Sequence, residues 1–254
     1  MERQLGAACK NGTIGDVRKL LSSVQINTNY QDFFGSTPFY NACAYGQIEV
    51  VKLLLKDERI DVNKPKNDGA TPFYIACQEG YSEIVKLLLN DERVDIHRSL
   101  KTSSRNDGET PFFVACECGD IEVVKVLLSD ARIEINRARS DGQTPISVAC
   151  ENGHIEVVKY VLASGREVNL NVQDKFGKTA LDITREKVEE KKFFQGEDFQ
   201  RRKRNFANII ELLESFERNQ NQTRTRLRIQ LGVAGKLISF SSFFFFFFFT
   251  FQLN

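Results

Sequence analysis

Residues 71–89 read TPFYIACQEGYSEIVKLLL, and this stretch holds a complete helix-turn-helix. The Thr71 hydroxyl is suited to cap a helix, and Pro72 at the first helical position gives up no hydrogen bond that a helix needs there. The small pair Ala76-Cys77 lets a neighbouring helix come close. Gly80 ends the first helix where a left-handed backbone costs little. SEIVKLLL then sets its apolar residues at helical spacing, which predicts a second helix with one buried face.

The same text recurs on both sides. Thr-Pro pairs stand at Thr37-Pro38, Thr110-Pro111 and Thr144-Pro145, so that four of the five prolines sit in such pairs, and a fifth unit weakens to Thr179-Ala180. The first helices read PFYNAC, PFFVAC and PISVAC, and turn glycines follow at Gly46, Gly119 and Gly153. The second helices read IEVVKLLL, IEVVKVLL and HIEVVKYVL. NDG before Thr71 and Thr110, and SDG before Thr144, supply tight-turn chemistry. Cys9, Cys43, Cys77, Cys116 and Cys150 follow at spacings of 34, 34, 39 and 34, one per unit. Cysteines placed so on packed helices act as small hydrophobes, which fits a reducing cytosol better than a disulfide framework. The opening MERQLGAACKNG has no apolar run of the secretory kind.

A period near 34 also suits tetratricopeptide repeats, but those lack the Thr-Pro start and the Asx-Gly turn before it. The TPFYNAC and TPFYIAC segments resemble the ankyrin signature Thr-Pro-Leu-His-x-Ala, with Phe for Leu and Tyr or Phe for His. The resemblance implies an all-α repeat solenoid of stacked helix-turn-helix units joined by β-hairpins or turns. Residues 1–35 are expected to form an N-terminal capping repeat, in which Gly12 aligns with Gly46. Residues 36–178 hold four to five repeats. Residues 179–219 form a C-terminal capping repeat, with GKTALDITREK and NFANIIELLESF as its helices around a charged insertion at roughly 188–204.

The same resemblance implies a concave face, lined by hairpin tips and the exposed side of the first helices, that contacts a partner protein. Mapped by repeat, the candidate positions are Phe33, Phe34, Ala44 and Tyr45; Asn67, Asp68, Gln78 and Glu79; Asn106, Asp107, Glu117 and Cys118; Ser140, Asp141, Glu151 and Asn152; Lys175 and Phe176. Phe33, Phe34 and Tyr45 are aromatics of the kind that anchor binding hot spots, unless one or both phenylalanines pack under the N-terminal cap. Asp68, Glu79, Asp107, Glu117, Asp141 and Glu151 form an acidic stripe that would suit a basic partner, unless Lys66, Arg105 and Arg139 beside it neutralise it.

Other features read as structural. The third repeat carries a five-residue excess within RSLKTSSRNDG, near 98–105. It is a tolerated finger insertion or a phosphorylatable loop, with Ser99, Thr102, Ser103 and Ser104 among Arg98, Lys101 and Arg105. The two histidines, His97 and His154, lie in different repeats and read as structural. His97 stands where Asn63 and Asn136 stand in other units. Cys116 and Cys118 have no second pair at zinc-ligand spacing, and no phosphate loop, HExxH or G-x-S-x-G occurs. An enzyme, a cofactor, a metal and a small-molecule substrate are not expected. With 35 basic and 34 acidic residues the net charge is +1, which gives no global pull toward nucleic acid. The run Arg201-Arg202-Lys203-Arg204 resembles a nuclear-import signal or a nucleic-acid patch, and is read as the solvated start of the last helix.

From about 220 the repeat pattern breaks into a basic and then poly-Phe tail, which carries nine of the 21 phenylalanines. Two readings stand. The codons of SSFFFFFFFTFQ are compatible with a pyrimidine tract at a splice acceptor, which would make the tail retained intron. Alternatively, residues 237–253 form a short membrane anchor. The expectation is a cytoplasmic protein-interaction scaffold. A tail-anchored adaptor, or the ankyrin portion of a larger signalling enzyme or channel, are the alternatives.

Overall fold

The computed structural model describes residues 1–100, 107–189 and 197–233. Each Thr-Pro start behaves as its chemistry demands. The side-chain oxygens of Thr37, Thr71, Thr110 and Thr144 accept hydrogen bonds of 3.0–3.2 Å from the backbone N–H three residues on. Proline follows as the first helical residue each time. Thr179, which lacks the proline, caps its helix reciprocally with Asp182.

Thirteen helices result among the described residues. The first helices of the units are α1 (Glu2–Asn11), α3 (Pro38–Ala44), α5 (Pro72–Gln78), α7 (Pro111–Cys118), α9 (Pro145–Glu151) and α11 (Ala180–Glu189). They pack in sequence, each against the next, as an inner layer. The second helices are α2 (Ile14–Leu21), α4 (Ile48–Leu54), α6 (Ser82–Leu89), α8 (Ile121–Leu128), α10 (Ile155–Ala163) and α12 (Glu197–Arg218), which stack beside them as an outer layer. The core between the layers is periodic. Phe39, Phe73, Phe112 and Ile146 occupy one buried register, and the Ala-Cys pairs of α3, α5, α7 and α9 are fully buried between neighbouring inner helices. Burying each phenylalanine stabilises the stack by about 1.5–3 kcal/mol.

Three devices tie each unit to the next. The first uses the turn glycines. Gly80 and Gly119 have φ of +79° and +77°, and an added Cβ would overlap the carboxylate of Asp120 and the ring of His154 respectively. Only glycine offers both the conformation and the space. The second is an arginine clamp. Arg59, Arg93 and Arg132 donate to the carbonyls of Leu21, Leu55 and Leu89 at the end of the preceding outer helix. Each is oriented by the aspartate two residues before it. The third is an asparagine rung. Asn63 donates to Arg93 O and accepts from Asp95 N in the next unit, and Asn29 and Asn136 do likewise. His97 occupies the corresponding position between α6 and α8, and its exposed imidazole makes no such pair of bonds. The other histidine, His154, bonds the Glu117 carbonyl of the preceding unit at 2.9 Å, a structural role as expected.

Of the hairpins or turns expected between units the structure has turns, and no strand occurs among the described residues. Two boundaries differ from the sequence reading. The charged insertion expected at 188–204 is helical from Glu197, because α12 runs on without a break into its buried half. The tail expected from 220 instead opens with α13 (Gln220–Gln230), which packs on α10 and α12 and buries Thr223 and Leu227. Its few apolar residues hid it from a search for amphipathic periodicity. What holds it is polar: Arg224 donates to Leu162 O and Arg166 O, and Arg228 donates to Ala163 O. These arginines meet the end of α10 as Arg59, Arg93 and Arg132 meet the ends of earlier outer helices. Among the described residues no helix is long and apolar enough to cross a membrane. The poly-Phe stretch and residues 101–106 of the finger insertion lie outside the described residues.

Candidate partner-binding face

The fingers before α3, α5, α7, α9 and α11 share one five-residue frame ending at the helix cap, and two different chemistries hold it. In the second and fourth fingers the third residue is the holding acid. Asp68 Oδ1 accepts from Ala70 N, and Asp141 Oδ1 accepts from Gln143 N. A basic residue two positions earlier pairs with each: Lys66 Nζ lies 2.9 Å from Asp68, and Arg139 lies 2.7 Å from Asp141. Partial burial works against both carboxylates, but these hydrogen bonds outweigh it and keep both pKa values below the usual range.

In the first and fifth fingers the acid moves to the first position. Asp32 Oδ1 accepts from the backbone N–H of Phe34 and Ser36, and Asp174 Oδ1 accepts from those of Phe176 and Lys178. The third position is thereby released from holding the turn, and both outer fingers place phenylalanine there. Phe33, Phe34 and Phe176 are 89%, 63% and 71% exposed. The packing alternative for the first two is therefore not what the fold adopts. Phe33 and Phe34 meet edge to face at 5.4 Å. Tyr45, at the end of α3, is half exposed under the Lys10 ammonium at 4.6 Å, and Lys175 lies 5.1 Å from the Phe176 ring.

Adjacent fingers are joined tip to tip. Phe34 O accepts from Asn67 N and Phe33 O from the Asn67 side chain, both at 3.1 Å. Ser140 N donates to Asp107 O at 3.0 Å, and Lys175 N to Asp141 O at 2.8 Å. The candidate positions Phe33, Phe34 and Asn67 thus belong to one bonded run of fingers, and Asp107, Ser140, Asp141 and Lys175, with Phe176 beside it, to a second. Asn106 lies outside the described residues. Gln78, Glu79 and Cys118 are exposed at the ends of their inner helices, and Asn152 is exposed with its amide bonded to Glu117 O.

The acidic stripe is largely neutralised from within. Arg139, only 8% exposed, donates to Asp141, Gln143 and Glu109, and lies 4.0 Å from Glu117. Glu109 is 1% exposed and also accepts from the Tyr74 hydroxyl at 2.8 Å. Gln143 passes the network on to Glu151, which Lys187 approaches to 3.6 Å. The Glu117 carboxyl is pushed up by burial and by Glu109, with Arg139 opposing. Sequence reading placed Arg139 beside the stripe but missed Glu109. The available signal was a carboxylate directly before a capping threonine, where other units have Ser36, Ala70, Gln143 and Lys178. A cleft of about 190 Å³ opens beside this network, lined by Arg139, Glu151, Phe176, Ile183 and Lys187 among others.

A stack of capped helix pairs, with a bonded row of turns displaying aromatic side chains along one edge, defines a helical-repeat binding scaffold. The family profile for ankyrin repeats, in three copies, matches residues 5–100 and 94–174, and the chain belongs to the ankyrin-repeat family. No curated protein matches the sequence. Among solved structures, a chain from the complex of the predatory endopeptidase Bd0816 of Bdellovibrio bacteriovorus with immunity protein Bd3460 is similar in fold. The two are 21% identical with a TM-score of 0.63, over 81% of this chain and 97% of that one. Ankyrin arrays as a class are protein-interaction modules and typically non-catalytic.

Proposed function

We propose that this chain is a non-catalytic scaffold that binds a partner protein through its finger row, with the two outer fingers as anchors. The observation that carries this reading is the exposure of Phe33, Phe34 and Phe176 on turns whose geometry is fixed by Asp32 and Asp174. Solvent-facing phenylalanine contributes little to folding, whereas a rigidly held aromatic loses little entropy when a partner covers it. The centre of the row supports specificity more than attraction, because Asp68, Asp141 and Glu151 already have internal cationic partners. Exposed Glu79 is the acid best placed to select a basic residue on the partner. Five buried thiols, one in each of the first five units, support a reducing compartment such as the cytoplasm.

The test is affinity capture with the full chain beside a Phe33→Ser/Phe34→Ser/Phe176→Ser variant, after circular dichroism has shown equal helicity. A protein retained by the parent and depleted at least about tenfold by the variant, a loss of about 1.4 kcal/mol, supports the reading. Equal capture by both would move the binding surface away from the fingers.

A further inference from the structure

The first half of α12 carries the basic run Arg201–Arg204, exposed on the helix as the sequence reading expected. Five successive residues, Gln200, Arg201, Arg202, Lys203 and Arg204, are all exposed. At 3.6 residues per turn, five consecutive positions pass the whole circumference of a helix, so this segment has no packed face. The second half of the same helix is anchored, with Ile209, Leu212, Leu213 and Phe216 buried. The helix therefore presents a short cationic rod of about one and a half turns just before Asn205 bonds the Gly153 carbonyl. Charge is segregated as well: the net +1 of the chain would be −3 without these four residues.

We propose that this rod, through Arg202, Lys203 and Arg204, is a binding site for the phosphate backbone of duplex DNA, separate from the finger row. A helix advances 1.5 Å per residue and is about 10–12 Å across with side chains, while B-DNA carries one charge per about 1.7 Å of axis and a major groove about 12 Å wide. The width is matched, and cations that point around the helix can reach phosphates on both walls of the groove. The other polyanion surfaces fit less well. A helix lying in a membrane interface needs an apolar face, and residues 200–204 have none. Single strands are held by stacking on aromatic side chains, and these five residues include none. The major groove of an RNA duplex is too narrow to admit a helix. Glu197 and Asp198 precede the run by one turn, and Glu211 follows it on the exposed side. Net attraction therefore rests on the last three cations, and the mode is electrostatic contact without base readout.

The experiment is fluorescence anisotropy of a labelled duplex of about 20 base pairs, titrated with the full chain from about 50 to 200 mM salt. An Arg202→Ala/Lys203→Ala/Arg204→Ala variant is run in parallel; alanine at exposed helical positions keeps the fold. The expected result is binding whose log–log salt slope flattens by about 2–3 in the variant, since each phosphate contact contributes about 0.9. No binding at the lowest salt, or equal slopes for both proteins, would overturn the proposal. A third arm uses phosphatidylcholine vesicles with about one-fifth phosphatidylserine. Vesicle binding lost in the variant while duplex binding is unchanged would overturn it in favour of a lipid surface.

Discussion

Glu109 and Arg139 are a buried ion pair between two adjacent fingers, completed by Tyr74, Asp141 and Gln143. Removing one partner leaves the other charged and dry, and that state is far worse than the intact pair. Arg139→Ala is expected to cost about 3–5 kcal/mol in urea denaturation. A double Glu109→Gln/Arg139→Gln variant is expected to cost less than the sum of the single changes, because the stranded charge is gone. A loss under about 1 kcal/mol for Arg139→Ala would mean that water reaches the pair. At this scale the sequence was partly legible. The phenylalanines of the outer fingers and the acids of the inner ones announced themselves by type and position. The change in which residue holds each turn could not be read, because a carboxylate at the first or third position looks equally plausible until its acceptor bonds are traced.

Element ends were legible wherever chemistry marks them. Thr-Pro starts and glycine stops fall where the text put them, and the capped helices α3, α5, α7 and α9 begin at the expected prolines. α13 carried no such mark. QNQTRTRLRIQ has one fully buried leucine and is held largely by arginines reaching the carbonyl end of α10. An isolated helix of this length is marginal in water, so its order depends on those bonds. The Arg224→Ala/Arg228→Ala variant is expected to lose hydrogen-exchange protection over 220–230 while α12 keeps its own around Leu213. Unchanged protection would assign the docking to Leu227 and Thr223 instead. On this account the fold extends through α13, and the boundary between repeat array and tail belongs after it rather than at 220.

Across the whole molecule, the period in the sequence predicted the stack, but the seams between units were invisible in any single repeat. The arginine clamps and asparagine rungs pair residues 30 or more positions apart, and neither shows up as local pattern. One rung is missing, at His97. His97→Asn is expected to restore the two bonds seen at Asn63 and to raise stability by about 1 kcal/mol, or Tm by about 2–4 °C. Differential scanning calorimetry would read the gain, and no change would mean that the neighbouring finger insertion shifts α8 out of register with this position.

Each turn glycine is covered by a side chain of the following unit, in the space that a Cβ would need. Gly46 lies under Tyr81, Gly80 under Asp120, Gly119 under His154 and Gly153 under Phe206, so the covering residue differs at every step. The repeats differ in the covering residue but share the glycine that makes room for it. Excising the period that carries Tyr81 would set Gly46 under Asp120, the side chain that now covers Gly80, at a turn of the same left-handed conformation. What is kept constant in this protein is the vacancy at the join, so a lineage can gain or lose a whole repeat and still meet the incoming side chain with a turn that has space for it.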